Sequence, residues 1–575
     1  MKKEKNLLLI IITFIFIFIV LIHFLFQEKS VDTSNQNDKD VQKNNQLGKS
    51  VYYTAIFKEG RYIEPVRITT ARVLDGNVTF KNGETMKENV HTRWAKDTLG
   101  IEIDTIWHTD TLEAFAIKIR LLLASNEELP DIIPTRDMGL AQELIDSGLF
   151  MPIDELFRTY ASDIWKEAAA IDPNVWTPFM RDGLTYGIPV LDFTYNNDHI
   201  LWIREDWLEK LELEVPTTMG ELEKVLHAFT YLDPNGTKQH DTYGLAFSYR
   251  HDLEELSWIF GAYGTIPSFW HEDVLGNLTY GSVQPEMKDA LRIISEWTKK
   301  GYVPKEASLL TWLDSAELFV TGRAGIISGP HWMPTWPLNE LAKNIPGAKY
   351  KPIKIPAGPT GQAMRWGNDT YNGVILINKN MKHPDAFFVY QNYLFDNYAN
   401  PIEGSPFEFG LAKDYDWTLV DGRPTTVPEK IPGGWANVTK YTLMFDGARI
   451  PDIYMSSLAK FHKGKKPETP FETIIHGKFP PAAWEAAAIL LEQKDISTTD
   501  KFQGPPTKTM VDIWGFLEGL EKQMLTNIMT GSAEGDTFDE FVERWNSKGG
   551  QMIVQEVNEW YQETKYLERN KFLSK

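Results

Sequence analysis

The sequence predicts an α/β fold. From Val51 onward, short β-rich runs alternate with amphipathic helical segments. The strand–helix–strand unit recurs, which implies parallel pairing and right-handed crossovers. Composition agrees: the chain is 42% hydrophobic and 24% charged, ordinary for a folded globular protein. Its 575 residues leave room for roughly two to four domains.

Residues 1–6 form a basic n-region, and a nearly unbroken apolar run follows from Leu7 to Phe26. About 20 such residues span a bilayer as a helix, and Lys2, Lys3 and Lys5 keep the preceding residues cytoplasmic. A cleaved signal peptide is the alternative, but its apolar core usually runs about 7–15 residues and ends at a small-x-small site. The expectation is therefore a transmembrane anchor over 7–26. Residues 27–50 are polar, cannot drive burial, and are expected to be a flexible tether.

Beyond the tether, "IEIDTIW" (101–107) is a strand run, "TLEAFAIKIRLLLAS" (111–125) a helix and "DIIP" (131–134) a short apolar strand. "LAQELIDSGL" is helical, with Gly148 as its stop. Thr218 and Glu221 suggest a capping box ahead of the stripe Leu222, Val225, Leu226 and Phe229. Pro285 suits a first helical turn before Met287, Ala290, Leu291, Ile294 and Trp297, with Gly301 as the stop. Thr537 and Glu540 suggest a second box before Phe541, Val542 and Trp545. Such stripes are core faces. Residues 400–480 are dense in Pro, Gly and aromatics, which favours ordered loops.

Several function classes are closed or disfavoured. A net charge of −20 disfavours nucleic acid, which needs a concentrated basic surface. It argues more weakly against a polyanion, since one basic pocket overrides an average field. With no cysteine, disulfides, zinc–thiolate sites and thiol catalysis are excluded. The 19 Trp and 22 Tyr suit a ligand with both apolar and polar faces.

Six segments, in order, carry a resemblance: "LLLASNEELPDII", "YGIPVLDFTYNNDHILWIREDWLEKL", "VPTTMGELEKVLHAF", "DPNGTKQHDTYG", "FVTGRAGIISGPHWMPTW" and "NGVILINKNMKHPDAFFVYQNYLFDNY". Together they resemble the extracellular solute-binding proteins of bacterial ABC importers, in the branch that serves oligosaccharides. "FDEFVERWNSKGGQMIVQEVNEWY" looks like the close of that branch's lipoprotein-type members. The chain departs from them in lacking a lipobox cysteine. The resemblance implies a two-lobed periplasmic-binding-protein-like fold (class II), its lobes discontinuous in sequence and joined by hinge crossings. The expected lobes are 51–203 plus 368–445, and 204–367 plus 446–575. Crossings are expected near Leu201–Arg204, near Arg365–Tyr371 and between 440 and 460.

A neutral sugar needs flat aromatic surface for its C–H face and planar polar groups for its hydroxyl edge. Trp332, after the Gly-Pro turn, is the leading stacking candidate by analogy with sugar-binding relatives, with His331 and Trp336 beside it. Further candidates are Trp366, Arg365 and Asn368 at the second crossing, and Asp192 and Tyr195 before the first. Trp258 and Trp270 around "GAYG", Trp435 after "GG", and Arg136 complete the set. For each, packing or surface exposure is the competing role.

The loop Asp233–Asp241 alternates oxygen-bearing side chains: Asp233, Asn235, Thr237, Gln239 and Asp241. It is not an EF-hand, because Lys238 and Gly244 stand where position six needs Gly and position twelve Glu. It resembles a shorter calcium loop of the family, so the alternatives are one structural calcium ion or a metal-free Asx-type turn. No catalytic motif is present: there is no GxSxG, HExxH or phosphate-cradling glycine loop.

The expected function is a surface-tethered, monomeric, non-enzymatic receptor. It captures an oligosaccharide and passes it to ABC permease subunits. A sugar sensor of the same fold, coupled to a membrane signalling partner, is the first alternative. A surface polysaccharide-degrading enzyme is the second.

Overall fold

The computed structural model describes residues 57–74, 76, 78–249, 253–532 and 536–573. The expected anchor (7–26) and tether (27–50) lie outside the described residues. Among the described residues, no helix is long and apolar enough to cross a membrane.

Nine strands build two main sheets: β1 (Val66–Val73), β2 (Ile101–Thr109), β3 (Ile132–Thr135), β4 (Gly187–Leu191), β5 (Ile200–Arg204), β6 (Tyr243–Ala246), β7 (Ala324–Gly329), β8 (Tyr350–Ile353) and β9 (Tyr371–Ile377). The first sheet has the order β2-β1-β3-β9-β4. The crossover connections make β1 parallel to both β2 and β3, whereas β9 runs antiparallel to β3 and β4. The second sheet has the order β6-β7-β5-β8, with β5 antiparallel to both neighbours.

Each sheet is covered on both faces, which is why its central strands are nearly all apolar rather than alternating. In β9, Val374 and Leu376 enter one core and Ile375 and Ile377 the other. In β5, Leu201 and Ile203 point to one side and Ile200 and Trp202 to the other. That two-residue period is the strand geometry made visible.

Because β9 lies far downstream yet sits inside the first sheet, the first lobe is discontinuous, and the whole is the two-lobed α/β architecture of class II. The first crossing lies a few residues before the place expected from the sequence. Leu201–Arg204 belongs to the second sheet, so the first crossing is 192–199 and β5 opens the second lobe. The second crossing occupies 367–370, between the short strand Arg365–Trp366 and β9. The third is 446–452, since Phe445 packs in the first lobe and Tyr454 in the second. A further strap was not anticipated: Ser497–Thr498 pairs with Arg365–Trp366 beside the crossings.

Asp198 ties these segments together. Its carboxylate accepts from Arg365 Nε at 2.8 Å, the Asn368 amide at 3.1 Å and Ser497 Oγ at 2.6 Å. Asp192 N donates to the Thr370 carbonyl, and Thr194 N to that of Pro451. At the start of β9, Gly373 has φ 112° inside a register shift. A Cβ there would lie 2.6 Å from the Thr135 carbonyl oxygen, so only glycine fits the bulge.

Helix signals in the sequence translate with small differences. Met219–Tyr231 is capped by Thr218, which accepts from Glu221 N. Glu221 reaches back one residue further than expected, to Thr217 N and Oγ1 at 2.8 Å each, so the reciprocal box is not closed on Thr218. The second expected box also shifts, because the helix Asp536–Trp545 already includes Thr537. Residues 400–452 are mostly ordered loop. The rest of the expected loop stretch is not: Ile453–His462 and Pro470–Lys478 are helices.

Candidate functional site

The site is an aromatic groove where the lobes face each other. A cavity of about 640 Å³ lies between second-lobe side chains around Trp332 and Phe471 and the first-lobe loops 398–439, with the third crossing as its floor. That size suits a bound small molecule or short oligomer.

The second-lobe wall begins where β7 ends. At Gly329 a Cβ would meet Met333 Sδ at 2.0 Å, so the glycine lets the chain fold back tightly and deliver Trp332 to the groove. Trp332 is part-buried and its indole N–H donates to Asn197 Oδ1 at 3.4 Å. Trp312 braces both Trp332 and Trp336, with ring centroids 6.0 and 5.6 Å away. Trp336 is 50% exposed. Across the groove stand Tyr398, Phe407, Phe409 and Trp435, the last 41% exposed. Indoles held this open present flat apolar faces that water covers poorly.

The floor is charged. Phe193 stacks on Tyr454 at 4.5 Å, and the Arg449 guanidinium sits 5.1 Å from the Phe193 ring. Arg449 donates to Asp192 and pairs with Asp446 at 3.5 Å. Asp446 also meets Arg136 at 2.8 Å and Lys440 at 3.2 Å, and accepts from Asn372 Nδ2 at 2.9 Å. Burial alone would raise the Asp446 carboxyl, but Arg449, Arg136 and Lys440 outweigh it and bring it down to about 2. Asp416, also lining the cavity, is pushed up to about 6 by burial, although Ala412 and Leu411 donate backbone N–H bonds to it.

The sequence candidates divide. Trp332, Trp336 and Trp435 line the groove. Asp192 is buried beneath it and holds Arg449. Arg136 lies over Phe445 at 4.3 Å and lines a neighbouring first-lobe cavity of about 300 Å³.

The others are placed elsewhere. His331 is fully buried behind Tyr454, whose hydroxyl lies 3.2 Å from His331 Nε2, and burial pushes its imidazole down to about 3. Trp258 and Trp270 are sealed in the second-lobe core at 0% and 2% exposure. Arg365 is consumed by Asp198 and by the Gln493 and Leu490 carbonyls. Asn368 serves the crossings through Asp198 and Glu254. Trp366 packs on Phe269 at 4.3 Å, and Tyr195, at φ 61°, packs against the second-lobe core.

Phe193, Arg449, Lys478, Phe471 and Tyr398 went unnoticed in the sequence. The only signal lay in their setting: Phe193 is inside a segment already marked, and Lys478 stands in the aromatic stretch "HGKFPPAAW".

The loop Asp233–Asp241 gathers oxygens. Asp241 Oδ1 accepts from Asn235 Nδ2 and Thr237 Oγ1, both at 2.9 Å, and Thr237 Oγ1 lies 3.1 Å from Asn235 Oδ1. Those two donors, Asn235 first, hold the Asp241 carboxyl below its usual range despite some burial. Asp233 Oδ1 accepts from Lys238 N at 2.9 Å. Four oxygen-bearing side chains, two of them carboxylates, are of the kind a hard cation such as calcium takes, with the Asn235 amide turning its oxygen rather than its nitrogen toward an ion.

Comparison with known proteins places the groove in context. A family model described as bacterial extracellular solute-binding protein matches residues 77–399. The chain is 25% identical over 472 residues to the polygalacturonan/rhamnogalacturonan-binding protein YtcQ of Bacillus subtilis (strain 168), covering 81% of this chain and 86% of the relative. Among solved structures it is similar to the alginate-binding protein AlgQ2 without calcium ion (TM-score 0.60, 20% identity, 87% of this chain and 98% of that one). It is also similar to the S. pneumoniae ABC-transporter substrate-binding protein FusA in complex with kestose (TM-score 0.58, 19% identity, 87% and 100%). At these identities the two structural likenesses establish a shared fold.

Proposed function

Because the chain belongs to the bacterial extracellular solute-binding proteins, we propose that it captures an oligosaccharide between its lobes and delivers it to the permease subunits of an ABC transporter. One observation carries the reading: opposed indole and phenyl faces, Trp332 and Trp336 against Trp435 and Phe409, line a groove between two lobes. A sugar ring entering it would lay its C–H face on Trp332 and offer its hydroxyls to Asn196, Asn437, Thr439 and Arg449, which also line the cavity.

Capture is a hinge motion. Ligand draws the lobes together only through contacts made better in the closed state, and aromatic walls on opposite lobes are such contacts. No bond need be broken. The family's members are binding proteins, and the groove carboxylates are engaged: Asp446 by three cations, Asp416 by two backbone amides and Glu408 by one. The apolar run 7–26 would hold this extracellular domain at the membrane, and the chain would act as a monomer.

A calcium ion in the 233–241 loop would be held by Asp233, Asn235, Thr237 and Asp241 with the Gln239 carbonyl, and would supply charge balance there. The residues of the loop would then fix the end of helix Met219–Tyr231 against β6.

The test is calorimetric titration of the protein with an oligosaccharide panel, followed by assay for new reducing ends. Binding with a one-to-one stoichiometry and no reducing ends released is the expected outcome. Failure to bind any member, or turnover of one, would contradict the proposal.

A further inference from the structure

The first-lobe wall of the groove is carried by loops, and one lysine outside the cavity lining holds them. Trp435 stands in the stretch 432–436, which belongs to no helix or strand and includes Gly433 and Gly434, both at positive φ. A loop of that composition has much conformational freedom to lose. Were the loop ordered only at the moment of binding, that loss would lower the affinity for the guest.

Lys81 removes the freedom beforehand. It lies between β1 and β2 at the start of a tight turn, where Glu84 N donates to the Lys81 carbonyl at 2.9 Å. Asn82 and Gly83 are both left-handed there, at φ 56° and 76°. The turn is mounted on the first-lobe core. The Phe80 ring stacks on buried Tyr441 with centroids 5.1 Å apart, and the Tyr441 hydroxyl donates to the Thr79 carbonyl.

From this base the Lys81 ammonium donates to three backbone carbonyls, those of Asp414, Pro432 and Gly434, the last at 2.8 Å. An ammonium has three N–H donors and no acceptor, so three carbonyls satisfy it completely. It is also strongly hydrated, and gives up its water only for a matching set of acceptors. Two of the carbonyls flank Gly433. The third precedes the hairpin of Thr418–Val420 and Arg423–Thr425, so one side chain ties both ends of that excursion together.

Trp435 is gripped from both sides. The Gly434 carbonyl before it goes to Lys81, and Ala436 N after it donates to the Tyr415 carbonyl at 2.9 Å. Tyr415 belongs to the same assembly, its ring 5.0 Å from the Lys81 ammonium. Its hydroxyl donates to Glu84 Oε1 at 3.0 Å and accepts from Asn82 Nδ2 at 3.2 Å.

Resting on the oligosaccharide reading above, we propose that Lys81 is a positioning residue for ligand capture. It fixes the 414–436 loops in the free protein, so that a sugar meets Trp435 already in place.

The test uses the full chain in mild detergent, with whichever of kestose, tri-galacturonate and tri-mannuronate the unaltered protein binds best. Trp435→Ala should weaken that ligand about tenfold, as loss of a contact aromatic does. Lys81→Met keeps the aliphatic stem and removes the donors; it should weaken binding about fivefold through the ordering loss. The double variant should bind no worse than Trp435→Ala alone, because both changes act through one contact. Hydrogen exchange reads the loop without ligand. The Gly434 and Ala436 amides should be protected in the unaltered protein and exchange about tenfold faster in Lys81→Met. Unprotected amides in the unaltered protein would overturn the inference even if Lys81→Met did not fold. Parent-like binding by either single variant, or effects that multiply in the double variant, would also overturn it and leave the oligosaccharide reading standing. Binding of none of the three sugars by the unaltered protein would overturn that reading, and the role of Lys81 with it.

Discussion

At the scale of single residues, some polar groups are spent inside the protein and others are left for a guest. Arg365 and Asp198 are both at 0% side-chain exposure, paired at 2.8 Å. Removing one partner of a buried pair strands the other, so Arg365→Met should lower unfolding free energy by about 3 kcal/mol or more. Urea titration would measure it, and an unchanged midpoint would refute the clamp role. Trp332→Ala, by contrast, should leave stability nearly intact and weaken the best oligosaccharide roughly thirtyfold, the effect of removing a hot-spot aromatic of about 2 kcal/mol. Asp500 makes a pH-dependent prediction. Burial raises its carboxyl to about 7, outweighing N–H bonds from Phe502 and Trp270, and neighbouring Asp369 adds to the rise. An acid that holds its proton more tightly folded than unfolded stabilises the fold below its unfolded pKa, and that contribution is lost as pH rises through about 7. Asp500→Asn should therefore gain stability relative to the parent at pH 8 but not at pH 4, read as melting temperatures at both. Residue roles were the least legible part of the sequence. Arg365 and Arg449 are chemically alike, as are Trp258 and Trp332. What separates them is whether the chain has already supplied a partner, and partners such as Asp198 and Asp192 lie 167 and 257 positions away.

At the scale of elements, the 233–241 loop is a small device between helix Met219–Tyr231 and β6. The side chains of Asn235, Thr237 and Asp241 are already drawn together by hydrogen bonds of 2.9–3.1 Å. If calcium fills that loop as proposed, millimolar calcium should raise the melting temperature and chelator should lower it, while Asp241→Asn should abolish the difference. Identical melts for the unaltered protein would leave the loop as a metal-free turn. Regular elements were legible where periodicity is long: the stripe Met287–Trp297 is buried throughout. Proline is a misleading loop signal at two places. Pro470 and Pro481 each stand at the first turn of a helix, where the missing N–H would have had no partner and the fixed φ suits the helix. Local composition cannot distinguish that from a turn.

At the scale of the molecule, two sheets with cores of their own are linked by crossings that share a few polar residues. The α/β class follows from the alternation of strand and helix patterns. The discontinuous lobes do not, because the insertion of β9 between β3 and β4 rests on pairings over 180–245 residues, invisible to local pattern and implied only through resemblance. The first crossing was displaced by a few residues for a similar reason: "HILWIRED" is apolar on either reading. The central claim is that the lobes close on a ligand in the aromatic groove. The absence of cysteine makes a direct test clean, since Ile402→Cys and Leu313→Cys would introduce the sole two labelling sites, both exposed, one on each side of the groove. Pulsed electron resonance between spin labels there should give a broad or longer distance without ligand and a shorter, narrower one at saturating oligosaccharide. A distribution that does not move while ligand is bound would contradict closure.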